Sequence, residues 1–382
     1  VGSYLAGAIS KEKYNVALFE KNNNAEPYLN CAGLVTPRVF ELTGEYTKSS
    51  IQNKIKGANI HSPSDNVLTI GGDKIHAFVI NRHIFDKEII NNAKEKGSNI
   101  FYGHNVLSAY RNKNQIEIKT SKNLNVKSKL IIGADGPFSS IRDRFFCYKP
   151  KEYLTGIGAE LTNVEMNPDF VEIFVGKKIA PGFFAWIIPT NNKGNTARIG
   201  LCTNKKSEKH PKFYFEKFLK NKYTSKFLGN AKIQKYTGGV IPIGFLKKTY
   251  ENNVMLVGDA AAHVKPTSGG GIYTGLLCSK YCSSVAVSCF KKNDFSQKTL
   301  KKYHKMCSKE IGAELNLGMK FRKIYINLSD KQLDKYIEHF NQPKIIEILN
   351  KYGDIDFPSR LVKPLLKKTP SLIKLAANLL KK

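Results

Sequence analysis

Several stretches of the chain combine carboxylates and glycines at spacings that suit the binding of a phosphorylated nucleotide. Val254-Met255-Leu256-Val257 is an apolar run that ends in Gly258-Asp259. A carboxylate closing a buried strand needs a hydrogen-bonding task, because an unpaired acid in an apolar setting is costly. A proline turn follows at Val264-Lys265-Pro266-Thr267-Ser268, and Gly269-Gly270-Gly271-Ile272 then opens a helix expected to run to about Phe290. Glycines let a ligand approach the backbone, and the uncommitted N–H groups of a helix start favour an anionic or electron-rich group. At the other end of the chain, Val1, Leu5, Ala8 and Ile9 suit one face of a helix, and the strand Asn15–Phe19 runs into Glu20. Helix, strand and terminal carboxylate form the second half of a dinucleotide-binding βαβ unit. Glu20 stands about 20 residues beyond the expected phosphate loop, where a carboxylate binds ribose hydroxyls, and Gly2 would be the third glycine of the fingerprint. The first strand and the first two glycines are missing from the sequence. A fragment lacking roughly 10 to 15 residues is therefore expected, with Val1 and Gly2 against pyrophosphate. A further apolar strand, Lys129–Ile132, runs into the turn Gly133-Ala134-Asp135-Gly136.

Other residues carry less specific signals. Cys31, before Ala32-Gly33, has the setting of a small buried residue, and Arg82, taken alone, reads as a partner in a surface salt bridge. Seven cysteines is an odd count. Cys278 and Cys282 have helix spacing, and no second pair completes a zinc site, so no metal is expected. Reduced thiols in a cytoplasmic compartment are the expectation. His263 reads as a bystander rather than a catalyst.

The elements that must position these groups read as an α/β fold. Residues 1–52, 82–148 and 244–299 form a discontinuous nucleotide-binding domain. Residues 53–81 and 149–243 form a sheet-rich domain. There, Ala58–Val79 carries two alternating runs with hairpin signals at Ser62–Asn66 and Gly71-Gly72-Asp73. Further strands are expected at Gly156–Leu161, Phe170–Val175, Phe183–Ile188 and Ala197–Cys202, with a helix at Lys212–Leu219 between them and the return to the first domain. Residues 300–382 read as mostly helical. Leu361, Leu365, Leu366, Leu372, Ile373, Leu375, Ala376, Leu379 and Leu380 lie among lysines, a basic amphipathic pattern that suits an anionic membrane surface or a helix packed on the core. Pro364 and Pro370 are expected to divide it into two short helices.

The chain has 382 residues, of which 41% are hydrophobic and 24% charged, which excludes a largely disordered protein. No run approaches the roughly 18 apolar residues of a spanning helix. The 61 basic against 31 acidic residues give a net charge of +30. That charge favours polyanions, yet it is nearly all lysine in an asparagine-rich chain, as in AT-rich genomes. No recognised nucleic-acid module accompanies it, so no specific nucleic acid is expected.

The order of these stretches resembles the flavoprotein superfamily of FAD-dependent aromatic hydroxylases, and within it the geranylgeranyl reductase family. Cys31-Ala32-Gly33-Leu34-Val35-Thr36-Pro37-Arg38 resembles that family's Cys-Gly segment, and Phe78–Asp86 its arginine and Phe-Asp segment. Phe183-Phe184-Ala185-Trp186-Ile187-Ile188-Pro189, with Arg198-Ile199-Gly200-Leu201, resembles its lipid-pocket motif. Gly269–Tyr273 follows the reductase rather than the hydroxylase pattern. The resemblance covers about residues 1–300. It departs from the family at Phe184 and Ile188, where tyrosine and phenylalanine are usual, and at Ala32 and Ala262, where glycine is usual.

The resemblance implies a Rossmann-like FAD-binding domain of the aromatic-hydroxylase type, an interleaved antiparallel β-sheet substrate domain and a helical C-terminal part. It implies FAD held by Val1, Gly2, Glu20, Cys31, Ala32, Gly33, Arg82, Val106, Asp135, Gly136, Asp259, Gly269, Gly270, Gly271 and Ile272. It places Phe184, Trp186 and Ile188 against an isoprenoid substrate and gives Cys31 a role in positioning or proton delivery. The implied reaction is reduction of C=C bonds in geranylgeranyl chains of archaeal-type ether lipids or their precursors. With one nucleotide fingerprint, the electron donor is a docked carrier such as ferredoxin or a transient nicotinamide cofactor. The setting implied is cytoplasmic, with peripheral attachment to the inner face of the membrane. The competing readings are an FAD monooxygenase or halogenase of a small aromatic, and a flavin-fold binding protein without turnover.

Overall fold

The computed structural model describes residues 1–24 and 31–368. Two parallel strand pairs organise the nucleotide-type half. Ala17–Glu20 pairs with Asn99–Tyr102, and Ile131–Gly133 pairs with Val254–Leu256. The N-terminal helix Gly2–Ser10 packs on the helices Arg82–Glu95 and Ile272–Lys292. Gly7 makes the first contact possible, since a Cβ there would lie 3.0 Å from the Ala93 Cα. Leu5, Ile9, Met255, Val257 and the thiols Cys278, Cys282, Cys289 and Cys307 fill the core between these elements.

A seven-stranded sheet forms the second half. Its order is Lys232–Ile243, Glu152–Thr162, Thr196–Asn204, Phe184–Pro189, Phe170–Val175, Gly57–His61 and Val67–Gly71. All neighbours are antiparallel except Phe170–Val175 and Gly57–His61, which run parallel. Alternation along Phe184–Pro189 decides which side each residue faces. Ala185 and Ile187, both 0% exposed, join Tyr214, Phe215 and Phe218 of the helix Pro211–Leu219 in one core cluster. Phe184, Trp186 and Ile188 project to the opposite side.

The run expected to continue the hairpin behaves differently. Ala77–Ile80 leaves the large sheet and pairs with Leu34–Val35 and Ile51–Ile55 in a three-stranded sheet. Gly71 and Gly72, at φ 82° and 105°, turn the chain out of the hairpin there. Pro364 also departs from expectation, because it lies inside the helix Ser359–Lys368. A proline there removes a backbone donor and crowds the carbonyl four residues earlier, yet the helix continues past it to Lys368. Pro370 and the apolar positions Leu372, Ile373, Leu375, Ala376, Leu379 and Leu380 lie outside the described residues. Among the described residues, no helix is long and apolar enough to cross a membrane.

Candidate functional site

The carboxyl ends of the parallel strands converge on the start of the N-terminal helix. A Cβ on Gly2 would lie 3.2 Å from the Ala134 Cβ and 3.6 Å from the Leu18 Cδ1, so the helix start sits between the two strand pairs. Val1 closes against Gly258 and Gly275, where added Cβ atoms would lie 3.1 and 2.8 Å from its side chain. In open α/β sheets, ligands bind in a crevice of this kind, beyond the strand ends. Glu20 stands at one such end. Its carboxylate accepts from the Asn22 backbone N–H at 2.9 Å and the Asn22 side chain at 2.7 Å, and its carbonyl accepts from His104 N–H at 2.9 Å. Val106 begins the strand Val106–Asn112 two residues beyond His104.

Asp135 and Gly136 turn the chain after Ile131–Gly133. The Asp135 carboxylate is committed to its own turn, accepting from the Ser139 hydroxyl at 2.5 Å and from Ser140 and Ile141 at 3.2 Å each. That fixes the start of the helix Ser140–Phe145. Gly136, at φ 81°, makes the left-handed turn.

Asp259 closes Val254–Leu256 and faces the crevice. Burial pushes its carboxyl above the usual carboxylate range, against the pull of the Arg82 guanidinium. Arg82 opens its helix behind Asn81, whose side chain accepts from the His83 and Ile84 N–H groups. Burial works against the Arg82 charge, and Asp86, 2.8 Å away, together with the Cys31 sulfur, more than offsets this and raises its pKa. The structure thus brings Cys31, Arg82 and Asp259 into one cluster with Val1. Ala32 and Gly33 are held from the far side by Arg198, which donates to the Ala32 carbonyl at 3.1 Å and the Ile80 carbonyl at 2.9 Å. It also donates to Gln52 at 2.9 Å and Glu160 at 3.2 Å. Arg198 is absent from the residues expected at the site, although it lies in the quoted stretch. Its partners are 38 to 166 positions away, and no local pattern marks them.

The turn Gly269–Gly271 forms the second wall. Gly269 is at φ 70°, and Gly271 starts the long helix with no side-chain cap. An added Cβ on Gly269 would meet Ile241 at 3.2 Å and Phe183 at 3.4 Å. One on Gly270 would meet the Lys265 Cε at 3.0 Å, and one on Gly271 would meet Val264 at 3.1 Å and the Asp259 Oδ1 at 3.2 Å. Each glycine therefore turns a bare backbone toward a different part of the site. Ala262, at φ 53°, shows why glycine is usual at its position, since a Cβ in that region costs about 1–2 kcal/mol.

An aromatic face adjoins this turn. Phe183 and Phe184 stack at 4.3 Å, and Phe184 meets Trp186 edge-on at 6.0 Å. The Trp186 indole lies on the backbone of Gly200, where a Cβ would sit 2.5 Å from its Cζ2. Phe184 and Trp186 are half-buried. Ile188 is 3% exposed, covered by Ile55, Ala77, Val79 and Val171, so it backs the wall rather than offering free surface. The helix Ala313–Asn327, from the helical C-terminal part, closes over this face. The Tyr325 hydroxyl donates to the Phe183 carbonyl, and Arg322, paired with Glu152 at 2.7 and 2.8 Å, covers the Phe183 ring.

His263, Cys278 and Cys307 form the candidate metal-ligating group among the described residues, with ligand atoms within 4.8 Å of one another. The tautomer argues against a metal there. The Gly258 N–H donates to the His263 Nδ1 at 3.3 Å, which leaves the imidazole proton on Nε2, and Nε2 has no partner among the described residues. A ligating histidine instead donates through its other ring nitrogen. Burial pulls the His263 pKa down to about 3 and pushes the Cys278 thiol up, so both stay neutral.

The comparisons with known proteins agree with this geometry. Over 99% of its length the chain matches a solved structure of a flavin-bound halogenase, PltM, at TM-score 0.71 and 13% identity, covering 90% of that chain. It also matches a geranylgeranyl bacteriochlorophyll reductase-like protein from Thermoplasma acidophilum at TM-score 0.86 and 21% identity, over 99% of this chain and 96% of that one. The fold is that of the FAD-binding aromatic-hydroxylase type. Residues 153–240 match the model of the geranylgeranyl reductase catalytic domain. The digeranylgeranylglycerophospholipid reductase of Methanocaldococcus jannaschii is 31% identical over 387 residues, covering 99% of this chain and 95% of the relative. The chain belongs to the geranylgeranyl reductase family.

Proposed function

We propose that this protein is an FAD-dependent reductase that saturates C=C bonds of geranylgeranyl chains in archaeal-type ether lipids or their precursors. The observation that carries the reading is the contact between the aromatic face and the glycine turn, with Phe183 3.4 Å from the Cβ position of Gly269. An apolar chain lying on Phe184 and Trp186, backed by Ile188, would reach the crevice without crossing a polar surface.

The residues present fit FAD. Bare glycine backbone, an uncapped helix start and a half-buried carboxylate are what a dinucleotide with a planar, electron-rich ring requires. In this reading Val1 and Gly2 lie at the pyrophosphate, Glu20 at the ribose and Val106 at the adenine. Asp135-Gly136 shapes the intervening turn, and Asp259 holds the ribityl and pyrophosphate region. Gly269, Gly270, Gly271 and Ile272 lie along the ring, with Cys31, Ala32, Gly33 and Arg82 across from them. FAD supplies the reducing equivalents for alkene saturation. The protein binds and orients the alkene, excludes water with the Phe183–Trp186 face, and offers the Cys31 Sγ, steadied by Arg82, as a place to hold a proton. The electron donor is a docked carrier such as ferredoxin or a transient nicotinamide. The +30 charge favours attachment to an anionic membrane surface, from which an ether lipid can be drawn.

The test is reoxidation of the reduced protein under anaerobic conditions. Geranylgeranyl ether phospholipid should reoxidise the flavin and a saturated analogue should not. Reoxidation only by oxygen, coupled to hydroxylation of an added phenol, would overturn the reading.

A further inference from the structure

The C-terminal segment Gly353–Ser359, between the helices Pro343–Tyr352 and Ser359–Lys368, reaches back into the glycine turn. Its Asp356 has a side chain 0% exposed, an unusual place for a carboxylate. Three donors satisfy it. The Lys265 Nζ lies 2.6 Å from Oδ1, and the Thr36 hydroxyl and Arg38 Nη1 lie 2.6 and 3.0 Å from Oδ2. Asp354 steadies the segment by accepting from Arg38 at 3.0 and 2.8 Å and from the Asp356 N–H at 2.9 Å. Thr36 and Arg38 end the Cys31 stretch, and Lys265 opens the proline turn. The segment therefore joins both walls of the crevice across 91 to 320 residues of chain.

Lys265 is the part of this network closest to the turn. Its backbone N–H donates to the Gly270 carbonyl at 3.1 Å, and its carbonyl accepts from Gly269 N–H at 2.9 Å. Its side chain lies along Gly270, with Nζ 3.4 Å from that residue's Cβ position. The side chain is only 10% exposed, and its ammonium sits beside the uncapped start of the long helix. Helix dipole and ammonium have the same sign there, and Asp356 opposes both. Neither charge is needed merely to pack a turn, because a buried ion pair is seldom more stable than apolar residues of the same volume.

We propose that Lys265 and Asp356 are positioning residues that set the reduction potential of the bound flavin, Lys265 by favouring the more negative, reduced form and Asp356 by tempering it and fixing where the ammonium lies. The proposal rests on the placement of the flavin ring along Gly269–Ile272 given above. A charge effect has a signature that a packing role lacks, since removing opposite charges must shift the potential in opposite directions.

The experiment uses the full chain loaded with FAD and a reference dye of known potential, with the reduced-to-oxidised flavin ratio read by absorbance. Lys265→Met should lower that ratio at fixed potential about tenfold, which is ~30 mV for a two-electron couple. Asp356→Asn, which keeps shape and an acceptor, should raise it about tenfold. The double variant should return within about twofold of the parent. Lys265→Arg, keeping the charge, should stay close to the parent, and Lys265→Gln, with the same expected fall, serves should Lys265→Met fail to fold. Shifts of the same sign, or none in folded, flavin-loaded variants, would overturn the proposal. Asp259→Asn separates this from failure of the flavin placement. If it weakens FAD binding while the Lys265 and Asp356 variants leave the potential unmoved, only this inference falls. If FAD binding ignores Asp259→Asn as well, the placement itself is wrong.

Discussion

Gly33→Ala should be among the most damaging small substitutions in the protein. Gly33 is at φ 72°, where an alanine costs about 1–2 kcal/mol. Its Cβ would lie 2.2 Å from the Arg198 Nη1 and 2.7 Å from the Ile80 carbonyl oxygen. The carbonyl cannot retreat easily, because the Ile80 N–H donates to the Gly33 carbonyl at 2.8 Å in the same pairing. Arg198 must therefore leave, giving up its bonds to the Ala32 and Ile80 carbonyls. Hydrogen bonds from a charged donor are worth about 1.5–3 kcal/mol each. Strain and lost bonds together come to about 4 kcal/mol at the lower end. The assay is urea unfolding followed by emission of Trp186, the single tryptophan, with FAD retention measured alongside. Because the two residues act through one contact, Gly33→Ala in an Arg198→Met background should cost about half as much or less. A loss below about 1 kcal/mol, or costs that simply add in the double variant, would mean that the alanine does not displace Arg198.

Other perturbations follow from the same geometry. The Asp259 carboxyl is raised by burial, so its folded state binds a proton more readily than the unfolded chain, and it costs stability once pH rises through its folded pKa. Asp259→Asn should stabilise the cofactor-free protein at pH 7 while weakening FAD affinity, which paired thermal melts with and without FAD will show. His263, pulled down to about 3, has the opposite sign. Stability present above about pH 6.5 should be lost progressively toward about pH 3, and His263→Gln should flatten that acid limb in urea titrations. Trp186 emission should shift to the blue when a geranylgeranyl lipid binds the folded protein, and Gly200→Ala, which drives a Cβ to 2.5 Å from the indole, should weaken that binding about tenfold or more.

Local punctuation made much of the site legible. Val254–Val257 running into Gly258-Asp259, and three glycines opening a helix, announce a strand–turn–helix whatever the partners. The strands at Phe170–Val175 and Phe184–Pro189 follow from apolar runs between turn residues. Alternation does not say which face of Phe184–Pro189 meets the Pro211–Leu219 helix, nor that Ile55, Ala77, Val79 and Val171 cover Ile188 on the face it shares with Trp186. What stayed hidden depends on distant pairing. Arg198 reads as an ordinary strand residue until the Ala32 and Ile80 carbonyls arrive beneath it. Asp356, in an undiagnostic tail, meets Thr36 320 residues away, and no periodicity encodes that meeting. The exit of Ala77–Ile80 from the hairpin sheet was equally silent, since Gly71-Gly72 signals a turn without giving its direction.

If this aromatic face delivers an isoprenoid alkene to a flavin lying on the glycine turn, the lipid itself must gain hydrogen. Mass spectrometry of a geranylgeranyl ether phospholipid, incubated anaerobically with the dithionite-reduced, FAD-loaded protein, tests it most directly. A gain of two hydrogens is expected for each bond reduced, with flavin reoxidised in equal measure and both lost in Asp259→Asn and Gly33→Ala. Fully loaded, reduced flavin beside a lipid of unchanged mass would contradict it.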